Sequence, residues 1–190
     1  MSYTHTSTEA LLECLIGSDA TQKWYRGELR TLFEQETGVI PGEIAPLIAA
    51  KELVARWLVE ELRERDQLSS PVLVANYLKL FFAGQQHESF VVLFLDTQNR
   101  LIVAEELFRG TLSQTSVYPR EVVKRALQLN AAGAIFAHNH PSGVTEPSIA
   151  DRTLTACLQT ALHFVDVKVI DHVVVGGNVS FSFAEQGMLS

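Results

Sequence analysis

His138-Asn139-His140-Pro141-Ser142-Gly143-Val144-Thr145-Glu146-Pro147-Ser148-Ile149-Ala150-Asp151 follows the short apolar run AAGAIFA (residues 131–137). An apolar run of this length, ended by turn residues, predicts a buried strand over Gly133–His138. Side chains two apart share a face of a strand, so His138 and His140 direct both imidazoles to one side. The PSGVTEP turn brings the chain back, and Ser148 with an acid three residues on is a helix-start signature. Asp151 then falls in the first turn of that helix. Two imidazoles and a carboxylate are three metal ligands with a fourth position left open, a catalytic zinc arrangement, whereas structural zinc is normally closed by four. The plainer reading is a capped helix with two surface histidines, and the two readings are compatible because a capping serine can also face a metal.

Working outward, strands are expected at Ser89–Leu95 and Leu101–Glu105, joined by the polar turn Asp96–Arg100, and again at Val165–Ile170, Val173–Val175 and Val179–Phe183. Helices are expected at Val72–Phe82, Pro119–Leu129 and Asp151–His163. Strands interleaved with helices predict an α/β (α+β) layered domain with a mixed sheet flanked by helices. The first third is helical by pattern: Thr8–Gly17, Gln22–Thr37 and a helix from Glu43 to about Arg65. In the last of these, Leu47, Leu53, Trp57, Leu58 and Leu62 read as a core-facing stripe. Asp66-Gln67-Leu68-Ser69-Ser70-Pro71 is the best linker, which gives a small helical region at 1–68 and a second domain at 69–190.

The chain has 190 residues, is 47 % hydrophobic and 19 % charged, and is long enough for a substantial core. No apolar run approaches the roughly 20 residues that span a bilayer, and MSYTHTSTEALLE lacks the basic start and apolar stretch of a secretory signal. Cys14 and Cys157 form no zinc pair or disulfide framework, so buried, inert thiols and a reducing, cytoplasmic setting are expected. The net charge is −7, with 12 of the 22 acidic residues and seven of the 15 cationic ones in the first 70 positions. Clustered cations, which non-specific DNA binding requires, are missing from that segment.

His138-x-His140-x7-Ser148-x2-Asp151 matches the JAMM (MPN+) metalloprotease signature at every position. The longer words GTLSQTSVYPREVVKRALQLNAAGAIFAHNHPSG, PSIAD, DHVVVGG and SFAEQG resemble the RadC family from about Glu88 to Leu189. EALLECLIG and AAKELVAR are similar, more loosely, to the helical region that precedes the RadC domain, where a helix-hairpin-helix unit is expected. The hairpin here reads TGVIPGEIA and lacks the glycine pair that grips a phosphate backbone, so the region is a degenerate one.

The resemblance implies a JAMM/MPN, cytidine-deaminase-like layered fold and one zinc ion per chain held by His138, His140 and Asp151. It implies Glu88, in HESFVVLFLD at the start of the first strand, as general base, with Glu105 and Glu106 as competitors by type. It implies that Ser148 donates a hydrogen bond to the oxyanion. Asn139 points away from the paired histidines and reads as structural. Backbone amides at Ser142-Gly143 are placed to help position a substrate. His172 is open between a packed strand residue and a helper near the site. The substrate expected is a peptide or isopeptide within a protein. The rival readings are a metal-dependent nuclease or DNA-processing factor, after the family's DNA repair naming, and a non-catalytic binding module stabilised by zinc. HExxH, PCxxC, P-loop and GxGxxG motifs are absent. Neither an oligomeric state nor a membrane association is indicated.

Overall fold

A computed structural model of the chain describes residues 3–33, 41–64, 70–110 and 117–189. They form two compact units, Met1–Arg56 and Trp57–Ser190. In the first, α1 (Thr8–Ile16) begins on Ser7, whose side chain accepts from the Ala10 N–H, and ends at Gly17 with φ 82°. Next come α2 (Ser18–Trp24), α3 (Arg30–Phe33) and the start of α4 (Ala45–Glu64). Leu12, Leu32, Ile44 and Leu47 make the small core of this unit.

The single helix expected over Gln22–Thr37 is broken. The backbone turns extended at Tyr25, and Gly27 takes φ 95°, a left-handed conformation that a continuing helix does not permit. Residues 34–37, the linker positions 66–69 and the first four residues of the TGVIPGEIA hairpin lie outside the described residues. The expected stripe on α4 is also divided. Leu47, Leu58 and Leu62 are buried, but Leu53 and Trp57 are exposed. At about 100° per residue, Leu53 and Trp57 share a row that lies roughly 130° round the helix from the mean direction of the other three. Cys14 and Cys157 are exposed free thiols rather than buried ones. Each sits on a helix whose buried side is marked by other residues, Leu12 on α1 and Thr155, Leu158 and Leu162 on the helix Ile149–His163.

In the second unit, α5 (Pro71–Phe82) leads into a five-stranded mixed sheet of order β2-β1-β3-β4-β5. Its strands are β1 (Ser89–Leu95), β2 (Leu101–Arg109), β3 (Gly133–Asn139), β4 (Lys168–Gly176) and β5 (Val179–Ser182). β3 and β4 are parallel, joined through α7 (Ile149–His163), and the other pairs are antiparallel. α6 (Pro119–Gln128) lies between β2 and β3 in the chain. β1 and β3 are buried along their whole length because both faces of the sheet are covered. Val91, Leu93, Leu95, Ile135 and Ala137 pack on one side with Leu78 and Phe82 of α5. Phe90, Val92, Phe94, Ala134 and Phe136 pack on the other with Val122 of α6 and Leu158 and Leu162 of α7. His138 continues the alternation of Ala134 and Phe136, so it emerges on the α7 side.

Two expected strands merge into one: 168–176 is a continuous β4 with a register shift opposite Ala134 and Ile135. The polar pair Asp171-His172 reads as a break, yet Asp171 is satisfied within the fold. Its carboxylate accepts from the His172 and Ala184 amides and from the Ser182 hydroxyl. β2 runs on to Arg109, past the expected Glu105. Among the described residues no helix is long and apolar enough to cross a membrane.

Candidate metal centre

The end of β3 and the start of α7 bring together the three residues that the spacing singled out. His138 Nε2 and His140 Nε2 are 3.0 Å apart. Asp151 Oδ1 is 3.3 Å from His138 Nε2, and Asp151 Oδ2 is 3.7 Å from His140 Nε2. One donor atom from each of the three lies within 4.8 Å of the others. A tetrahedral zinc with donors at about 2.0–2.1 Å has donor-to-donor edges of about 3.3–3.4 Å, and the observed separations bracket that value. The donor set, two imidazole nitrogens and a carboxylate, is also the chemistry that zinc takes. These residues fit the metal.

His140 and Asp151 are each oriented by a local contact. His140 Nδ1 lies 2.6 Å from the Val144 carbonyl. A carbonyl only accepts, so Nδ1 carries the hydrogen and Nε2 keeps the lone pair that a metal could take. The Val144 carbonyl is held by a loop pressed against the end of β4. The His140 amide donates to Val175, and the Gly143 amide to His140. A Cβ on Gly176 would come within 2.4 Å of the Gly143 oxygen, so only glycine admits the loop this close. Asp151 is held by the helix start: Oδ2 accepts from the Ser148 amide at 2.7 Å and from the Ser148 hydroxyl at 2.6 Å. The Asp151 amide in turn donates to Ser148 Oγ, closing a reciprocal cap. The Ser148 hydroxyl hydrogen is thus committed to Asp151 in this structure.

Burial pushes the Asp151 carboxyl up, but the two imidazoles beside it and the Ser148 hydroxyl outweigh that and hold it far below the usual carboxylate range. His140 is raised, first by its contact with Asp151, against its burial, and further by the Val144 carbonyl and the nearby Glu88 charge. Converging anionic and lone-pair groups draw in a cation, a proton or a metal.

Glu88 is half-buried at the residue before β1, two positions from Phe90, which pairs with His138 across β1 and β3. Asn139, between the two histidines, grips the chain on either side of Glu88. Its Nδ2 donates to the His87 carbonyl at 2.9 Å, and its Oδ1 accepts from the Ser89 amide at 2.8 Å. The reading of Asn139 as structural gains a specific content: it fixes the segment that carries Glu88. The competing acids are engaged elsewhere, Glu105 with Arg125 and Glu106 with Arg109 and Ser89.

His172, which the sequence leaves open, is wholly buried on β4 with its Nε2 2.8 Å from His138 Nδ1. Its other nitrogen faces Thr155 Oγ1 at 2.6 Å. Burial holds this imidazole well below its ordinary pKa. Thr155 has no motif to announce it; its only signal is the four-residue spacing from Asp151 on one helix.

Residues 68–188 match the family described as the RadC-like JAB domain. The chain belongs to the RadC family. It is 56 % identical over 157 residues to a UPF0758 protein of Herminiimonas arsenicoxydans, covering 83 % of this chain and 70 % of that relative. A UPF0758 protein of Nitrosomonas eutropha matches at the same identity and coverage. One from an Acidovorax species (strain JS42) is 56 % identical over 152 residues, 80 % of this chain and 64 % of its own length. The mixed sheet flanked by helices is in keeping with a JAB/MPN fold. In this RadC domain the His138, His140 and Asp151 group is the one able to hold a metal among the described residues.

Proposed function

We propose that this RadC domain, residues 69–190, is a zinc-dependent hydrolase with JAMM-type chemistry, cleaving a peptide or isopeptide bond in a protein substrate. The observation that carries this is the convergence of His138 Nε2, His140 Nε2 and an Asp151 oxygen at the edge lengths of a tetrahedral zinc. Zinc held there would supply a water acidified from its bulk value down to near neutral pH.

The protein's own groups do the rest. Glu88 accepts a proton at its carboxylate and delivers it to the departing nitrogen. Asn139 keeps that carboxylate in place by holding the backbone on both sides of it. Ser148 donates a hydrogen bond from its hydroxyl to the carbonyl oxygen as that oxygen gains charge, which requires the hydroxyl to turn away from Asp151. The helical region 1–68 and any link to DNA repair stand apart from this chemistry. The acidic balance of that region favours a protein over a nucleic-acid substrate.

The test compares wild-type protein with Glu88→Ala after metal analysis. Each is incubated with unfolded protein, with ubiquitin-like isopeptide conjugates, and with single- and double-stranded DNA. Zinc at one per chain in both proteins, with cleavage of a peptide or isopeptide by wild type alone, is the expected result. Cleavage of DNA alone moves the reading to a nuclease. Zinc without any cleavage, or equal cleavage by Glu88→Ala, moves it to a zinc-stabilised binding module.

A further inference from the structure

We propose that Thr155 and His172 are positioning residues, a buried hydrogen-bond relay that sets the tautomer of His138 and so presents its Nε2 lone pair to the metal. The relay rests on the reading of His138, His140 and Asp151 as a metal site.

The direction of each hydrogen follows from what the atoms can do. Thr155 Oγ1 lies 2.6 Å from the Asp151 carbonyl oxygen. Two oxygens at that distance need a hydrogen between them, and a carbonyl has none, so the hydroxyl donates to Asp151. A hydroxyl has one hydrogen. Toward His172 Nδ1, also 2.6 Å away, Thr155 Oγ1 can therefore only accept, and His172 Nδ1 carries a hydrogen. His172 is enclosed, with its ring stacked on Phe183 at 4.9 Å and the edges of Phe90 and Phe136 against it. Its two ring partners are an imidazole and a hydroxyl, neither of them anionic, so a second hydrogen would make an unpaired buried charge. The imidazole is neutral and its Nε2 is an acceptor. The group 2.8 Å from that nitrogen is His138 Nδ1, which must donate. With its hydrogen on Nδ1, His138 has a lone pair on Nε2, the atom that faces His140 and Asp151.

The relay begins and ends on one residue. The Asp151 backbone carbonyl anchors Thr155, while the Asp151 carboxylate stands 3.3 Å from the His138 nitrogen at the far end. The first turn of α7 thus places a ligand and, through four atoms of hydrogen bonding, selects the form of a second ligand on β3. His140 gets the same tautomer from the Val144 carbonyl. The two histidines therefore reach one result by separate supports, one in an exposed loop and one in the core.

Two measurements test this. In metal-free wild-type protein with 15N-labelled histidine, the ring nitrogen spectra are expected to show the Nδ1–H form for both His138 and His172. An Nε2–H form at either position overturns the proposal. Zinc affinity is then measured by competition with a chromophoric chelator. Thr155→Val, of nearly the same shape, is expected to bind zinc about 10- to 100-fold more weakly, and Thr155→Ser, which keeps the hydroxyl, to restore wild-type affinity. Equal affinity in Thr155→Val and wild type overturns the relay even where cleavage stands. If Thr155→Val fails to fold, the wild-type spectra decide. Wild-type protein that binds no zinc defeats the functional reading, and the spectra still decide the relay on their own.

Discussion

Gly176→Ala should weaken metal binding without touching a ligand. An added Cβ would lie 2.4 Å from the Gly143 carbonyl oxygen, 2.7 Å from its carbon and 2.9 Å from Thr145 Cγ2. Two of the three are backbone atoms, so no side-chain rotation relieves the contact. To reach an ordinary contact distance the loop must retreat from β4 by about 1 Å. That loop carries the Val144 carbonyl, 2.6 Å from His140 Nδ1. A retreat of this size takes the pair to about 3.6 Å, which is no longer a hydrogen bond. His140 then loses the acceptor that sets its ring and tautomer, and such losses cost about 10- to 100-fold in metal affinity, or about 1.4–2.7 kcal/mol. The loop is exposed at residues 141–144, so most of the strain escapes outward and the fold persists. The assay is a zinc titration against a competing chelator beside a thermal melt. A variant that melts like wild type and binds zinc equally well would refute the coupling of Gly176 to His140.

Three further outcomes follow from the same geometry. Asn139→Ala strands the buried Ser89 amide and the His87 carbonyl, and should lower stability by about 1–3 kcal/mol in urea unfolding, with zinc still bound and turnover reduced because Glu88 loses its support. Ser148→Ala removes the cap on α7 and should cost about 0.5–2 kcal/mol, whereas Ser148→Gly should cost only a few tenths; if the hydroxyl also serves the reaction, both variants fall about 10²- to 10³-fold in rate, and a rate that tracks stability instead denies it that role. A proton competes with zinc for His140, whose pKa is raised chiefly by Asp151, so zinc affinity should fall as pH drops and begin to fall above the ordinary imidazole value of about 6.5.

The histidine pair was legible because two periodicities meet there. The run AAGAIFA is too apolar and too short for anything but a buried strand, and alternation along a strand puts His138 and His140 on one side. Ser148 and Asp151 are a helix cap by spacing alone, and the same spacing sets the carboxylate at the mouth of α7. The α/β layering and the strand β1 were equally readable, since a run of six apolar residues, Phe90–Leu95, predicts a strand covered on both faces. Where local pattern was weak, the reading failed. A glycine at Gly27 looks tolerable inside a helix until its φ is known, and a stripe counted along α4 mixes two rows of the cylinder. Asp171-His172 looked like an interruption because its partners, Ser182, Ala184, Thr155 and His138, come from other elements.

His138, His140, Ser148 and Asp151 were therefore determined by the sequence itself, because strand alternation and helix capping are short-range rules that a linear reading contains. Only the tertiary structure decided which atoms of those residues face one another, that Asn139 holds the segment of Glu88, and that Val144 and Thr155 with His172 choose the histidine tautomers. Those contacts join β1 to β3, β4 to α7 and a loop to a strand end. A backbone carbonyl has no letter of its own, and hydrogen bonds between distant segments depend on the packing that brings them together.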